Sequence, residues 1–178
     1  MAMVINEEQQ MLKESAQGFL AEFAPVSELR KLRDEGSATG YNADLWRQMV
    51  DMGWAAILVP EAYGGLDFGH VGMGQIIEQT GRTLTASPLF STAIIGASLI
   101  NLAASDAQKS ELLTAIAGGE LTTALAVDET IHHAPTQISM TAVKQGDSYR
   151  LNGEKRFVID GHSADKLIVA VRTSGNLG

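Results

Sequence analysis

The feature that most constrains this chain is a change in its apolar period near residue 120. Before that point apolar residues recur every three or four positions, the period of a helix face. Asn6 with Gln9 fits a capping box, and Leu12, Ala16, Phe19, Leu20 and Phe23 then form one stripe that stops at Pro25. A short charged helix is expected over 27–34, then a loop at 36–40. Asn42 is placed to cap a third helix that buries Leu45 and Met49 and ends at Gly53. Two more helices are expected over 70–80 and 89–104. A last one, capped by Asp106, turns Leu112, Leu113 and Ile116 inward and ends at Gly118 and Gly119.

Beyond Gly119 the texture is that of strands. Residues 121–127 form an apolar run, and Ile138, Met140 and Ala142 alternate with Ser139, Thr141 and Val143. Residues 149–151, Asn152-Gly153 and 155–159 read as a β-hairpin with a type I′ turn, and 167–171 as another buried strand. Residues 172–178 offer no further element. So few strands need more strands or a second sheet to cover their faces. The expected class is α+β: an amino-terminal all-α domain over 1–120 and an incomplete antiparallel β-domain over 121–178. A truncated chain, a proteolytic fragment or a natural chain that closes its sheet by association would all read this way.

Composition narrows the function. A core is available, since 45% of the 178 residues are hydrophobic. The net charge of −8 argues against nucleic acid or an anionic membrane surface. With no cysteine, disulfides, thiolate metal sites and cysteine nucleophiles are excluded. The opening MAMVINEEQQ lacks the blocks of a secretory signal, and the apolar run 92–104 is too short to span a bilayer. The expectation is a soluble cytoplasmic protein.

One segment is unusually specific. Residues 53–68, GWAAILVPEAYGGLDF, read as a buried connector that emerges into a tight glycine turn. The glycines from Gly64 to Gly74 do not make a phosphate loop, because no Gly-Lys-Ser/Thr follows them. Gly53-Trp54, Pro60-Glu61 and Tyr63-Gly64-Gly65 resemble the GW…PE.YGG signature of the acyl-CoA dehydrogenase family. Glu78 to Arg82 resembles its "E.GR" helix end, and Gln108-Lys109, Leu112-Leu113 and Gly118 its "QK..LL…G" segment. Leu151 to Lys155 resembles its "LNG.K" segment, and Ala164-Asp165 the "AD" before the next strand.

The resemblance covers nearly the whole chain and implies a helical domain, a β-barrel-like middle domain and a carboxy-terminal four-helix domain. This chain would hold the first and about half of the second. It implies FAD, an acyl-CoA substrate oxidised to its trans-2-enoyl form in lipid metabolism such as fatty acid β-oxidation, and an electron-transfer flavoprotein or similar acceptor. It also implies a homo- or hetero-oligomer, dimer or tetramer. In the family the catalytic carboxylate and much of the adenosine site lie in the carboxy-terminal domain. No catalytic residue is therefore expected in this chain, which should bind flavin weakly or not at all by itself.

The flavin-facing residues implied by the resemblance are Val127, Asp128, Phe157, Val158 and Ile159. Asp128 stands where the family's "LTEP" segment has threonine. Its carboxylate would accept from flavin N3–H and repel anionic reduced flavin. Alternatively, Asp128 and Glu129 simply open a solvated loop. Phe157 and Ile159 replace the tryptophan and threonine of "K.WIT"; equally, they are core positions of an alternating strand. The family's Gly-Ser-Asp loop is replaced by residues 131–136, which include His132 and His133. Adjacent histidines point to opposite sides of an extended chain and no third ligand is spaced nearby, so a surface loop is expected and no metal. Competing readings are a catalytically silent partner subunit in a mixed oligomer, and a relative of acyl-CoA oxidase or nitroalkane oxidase.

Overall fold

The structure, a computed structural model, describes residues 5–174. Residues 1–4 and 175–178, which carried part of the reading of both chain ends, lie outside the described residues. Six α-helices precede the first strand: α1 Glu7–Phe23, α2 Val26–Asp34, α3 Ala43–Asp51, α4 Gly69–Thr83, α5 Ala97–Ala103 and α6 Asp106–Ala117. Asn6 and Gln9 form the expected capping box, with Gln9 N–H donating to Asn6 Oδ1 at 2.8 Å. The cap of α6 is Ser105 rather than Asp106, because the Ser105–Gln108 pair forms a second capping box. Ala16 and Leu20 of α1 are buried against the core that also holds Met73 and Ile76 of α4. Phe23, expected on that stripe, is half exposed and lies 5.1 Å from the Phe19 ring instead.

Residues 53–68 fold back upon themselves. Gly53 adopts φ +79°, a left-handed turn that favours glycine. Backbone N–H groups of Leu66, Asp67 and Phe68 then donate to the carbonyls of Ala56, Val59 and Ile57 at 2.9–3.0 Å. A Cβ at Gly65 would collide with the Val59 carbonyl, so this return path requires glycine. Trp54, Ile57 and Val59 are thereby buried, with Phe19 edge-on to Trp54 at 5.4 Å.

The helix expected over 89–104 is in two parts. Leu89–Gly96 is π-helical and only Ala97–Ala103 is α-helical. The wider turn is where the helices meet the strands. Thr92 Oγ1 accepts from Thr123 N at 2.9 Å and donates to Thr123 O at 3.3 Å. A Cβ at Gly96 would collide with Thr123 Oγ1.

Four strands follow: β1 Thr123–Ala126, β2 Thr141–Gln145, β3 Ser148–Asn152 and β4 Lys166–Val169. β1 pairs with β4 in parallel, from Thr123↔Lys166 to Ala126↔Val169. This corrects the wholly antiparallel expectation. The parallel pair starts at Asp165, whose Oδ2 accepts from Thr122 N and Thr122 Oγ1, both at 2.8 Å. β2 and β3 form an antiparallel hairpin whose turn is Gly146-Asp147, with Gly146 at φ +61°. Asn152-Gly153 is therefore not the hairpin turn, because Tyr149 and Leu151 pair upstream with Lys144 and Ala142. The two pairs are linked through Thr141↔Arg172, and no closed barrel forms among the described residues. No helix among them is long and apolar enough to cross a membrane.

Candidate functional site

Two segments build the candidate site: residues 127–129, where β1 ends, and residues 155–159, which follow β3 as irregular backbone rather than as a strand. Arg156 N–H donates to Asp128 O at 2.8 Å, and Lys155 Nζ donates to Val127 O at 2.9 Å. Lys155 Nζ also donates to Glu129 Oε1 at 2.8 Å, in an ion pair whose side chains are 6% and 13% exposed. Glu129 further accepts from Ser139 N and Met140 N, each at 2.9 Å. The Lys155 ammonium, with those two N–H groups, lowers the Glu129 carboxyl to about 2. The neighbouring loop is fastened by Asp128, whose Oδ1 accepts from Ala134 N at 3.0 Å while His133 Nδ1 donates to Oδ2 at 2.9 Å. The His133 bond, then the Ala134 N–H, holds Asp128 below its ordinary value.

Four of the five expected residues come together. Val127, Asp128, Phe157 and Ile159 line one open cavity of about 200 Å³, walled also by Ser91 and Ile95 from the π-helical turn. Val158 does not join them. It lines a larger open cavity of about 520 Å³ with Ala126, Met140, Leu151, Lys155 and Leu167. Phe157 and Ile159 are not core residues of a strand: Phe157 is 73% exposed and its backbone is left-handed at φ +52°. Such a φ is uncommon for a bulky side chain and signals local strain. Nor do Asp128 and Glu129 open a solvated loop, since both carboxylates are engaged by fixed donors. The His132–His133 stretch is an exposed loop, as expected.

The helical part reaches the same site. Ser91 Oγ donates to Asp160 Oδ2 at 2.6 Å, and Asp160 itself sits at φ +57°. His162 Nε2 lies 3.1 Å from Thr39 O, in the loop before α3. Burial, then the negative charges of Asp165 and Asp160, raises the Tyr41 hydroxyl above its ordinary value beside this contact. Ser91, Glu129 as an anchor and Lys155 as its partner were missed by sequence reasoning. The ion pair joins residues 26 positions apart, and no local spacing signals such a pair.

The comparisons fit this architecture. The model of the Acyl-CoA dehydrogenase N-terminal domain matches residues 6–120. Mitochondrial isovaleryl-CoA dehydrogenase of Bos taurus is 29% identical over 175 residues, covering 95% of this chain and 40% of that protein. Among solved structures, the Tcur3481-Tcur3483 steroid ACAD G363A variant has a TM-score of 0.84 at 28% identity, over 94% of this chain and 45% of that one. An acyl-CoA dehydrogenase from Bacillus anthracis, solved in complex with FAD, shares the fold with a TM-score of 0.82 at 24% identity, over 95% of this chain and 30% of that one. The helical core and these matches define an acyl-CoA dehydrogenase-type fold. The chain belongs to the acyl-CoA dehydrogenase family. It spans less than half the length of these relatives.

Proposed function

We propose that this chain forms one wall of the flavin site of an FAD-dependent acyl-CoA dehydrogenase acting on an acyl-CoA thioester. The observation that carries the reading is Phe157. An aromatic ring left 73% exposed on a left-handed backbone suits a partner group better than it suits the chain alone. The residues present fit one face of a planar ring system, with Phe157 as an aromatic surface and Val127, Ile159 and Ile95 as apolar walls. FAD, when bound, supplies the acceptor for the substrate hydride. This chain's residues bind and orient that group and keep water from one side of it. Asp128 is not the catalytic base, because its oxygens already hold Ala134 N–H and His133.

In this reading residues 1–120 are the helical domain and 121–178 the first strands of a barrel-like middle domain. Further strands would cover the exposed faces of Leu151 and Leu167 and close the larger cavity. A cytoplasmic oligomer that passes electrons to an electron-transfer flavoprotein or similar acceptor completes the proposal. The test is the visible spectrum of the full-length protein as purified and after adding FAD. Bound flavin that weakens on Phe157→Ala supports the reading; no flavin and no uptake of added FAD overturns it.

A second reading, a silent partner subunit in a mixed oligomer, is favoured by one observation. The place of the family's threonine hydroxyl is taken by a carboxylate already bonded to His133 and Ala134. Turnover of acyl-CoA by the purified protein without any partner would rule it out.

A further inference from the structure

Phe157 stands on strained backbone with its ring exposed, so its own contacts do not fix where it stands. What fixes the segment is two residues upstream. The Lys155 side chain is buried to 6% exposure, and its ammonium donates to Val127 O and to Glu129 Oε1. Glu129 collects Ser139 N–H and Met140 N–H on the same carboxylate. One ammonium therefore fastens three stretches: the end of β1, the approach to β2 and the run that carries Phe157. Lys155 lines the larger cavity and is not among the residues of the cavity walled by Phe157, so it acts through the backbone. A buried ammonium with fixed partners on two segments is a rigid joint, since each donor left unpaired is costly.

We propose that Lys155, with Glu129 as its counter-charge, is the positioning residue of the cofactor-facing wall, setting how Phe157 and Ile159 stand over the cavity. The proposal rests on the flavin reading above, and on the ion pair for its geometry. Lys155→Met keeps the apolar stem and removes the donors, leaving Glu129 without its charge partner. Lys155→Arg keeps the charge but brings a planar fork in place of a compact ammonium.

The test uses the full-length protein labelled with 4-fluorophenylalanine, with the Phe157 signal assigned by Phe157→Tyr. Lys155→Met is expected to move or broaden the Phe157 fluorine signal while that of Phe19, in the helical core, stays in place. It is also expected to raise the FAD dissociation constant about tenfold, the loss of roughly one good contact. Lys155→Arg should recover part of both effects, which a purely structural role would not sort in this order. An unchanged Phe157 signal in Lys155→Met overturns the proposal, whatever flavin does. Should Lys155→Met fail to fold, Glu129→Gln reads the same joint from its other side. If the parent protein takes up no FAD, the flavin reading falls, and the fluorine signal still decides whether Lys155 positions Phe157.

Discussion

The helical and strand parts are held together by different forces. In the helical part the core is sealed: Trp54, Leu20, Met49, Ile76, Leu113 and Ile116 are fully buried in two apolar clusters. In the strand part β3 is exposed along its whole length, and Leu151, Val143, Tyr149 and Leu167 lie open. Beyond β1 its apolar burial is small, and besides the strand ladders it is tied by polar joints: Lys155–Glu129, Asp128–His133, Asp165–Thr122 and Ser91–Asp160. Burial of apolar area is non-directional and tolerates small shifts. A charge-assisted bond between two segments is directional, so it can set how segments stand where little apolar burial holds them. On the flavin reading proposed above, these joints hold the wall that carries Phe157 and Ile159.

The sharpest way to break the comparison is to truncate equivalent apolar side chains on each side. Leu113→Ala, at full burial, is expected to cost about 2–5 kcal/mol in chemical denaturation. Leu151→Ala, at 41% exposure, should cost only about 0.5 kcal/mol. Similar losses at both sites would mean that the strand part has a core of its own. Next in size, Gly96→Ala drives a methyl group into Thr123 Oγ1 and should cost about 1–3 kcal/mol. Its signature is local: amide exchange should quicken in β1 and leave the α1–α4 contact unchanged.

A pH scan sharpens the contrast further. Glu129 has a folded-state value of about 2 against an ordinary 4.5, so the unfolded chain takes up the proton first. Its stabilisation is complete above about pH 4.5 and is lost as pH falls through about 2. Asp128 shifts in the same direction. Amide exchange at 127–129 and 155–159 should therefore rise across this window before the helical core responds. In the helical part Glu78, also lowered by Arg82 and Lys13, is exposed, and its pairs contribute little. The smallest effect tests a purely local device. Ser105→Ala removes the α6 cap and should cost about 1 kcal/mol, read as a small drop in melting temperature with the site unaltered.

The helical half was legible because its signals are local. Asn6 with Gln9, Asn42, and the stripe through Ala16 and Leu20 each act within one or two helical turns, and each is found where expected. The errors there are small and physical. Ser105 outcompetes Asp106 as cap because its side chain reaches Gln108 N–H, and 89–96 widens where it bonds to Thr123. In the strand half, Asn152-Gly153 is a genuine turn signal by itself. The structure uses Gly146-Asp147 instead, since Ser148–Asn152 finds its partner upstream and Lys155 draws the following residues toward β1. Of the five residues expected by resemblance, Val127, Asp128, Phe157 and Ile159 share one cavity, while Val158 lines the other.

By itself, then, the sequence determined most of the helices, the caps at Asn6 and Asn42, the glycine turn within residues 53–68 and the family to which the chain belongs. These follow from contacts between residues a few positions apart, or from short ordered motifs. Only the tertiary structure decided that β1 pairs in parallel with β4, that Glu129 receives Lys155, and that Phe157 leaves the sheet on a left-handed backbone. Those outcomes depend on which distant backbone groups and charges meet once the helices have packed. No spacing along the chain encodes that meeting.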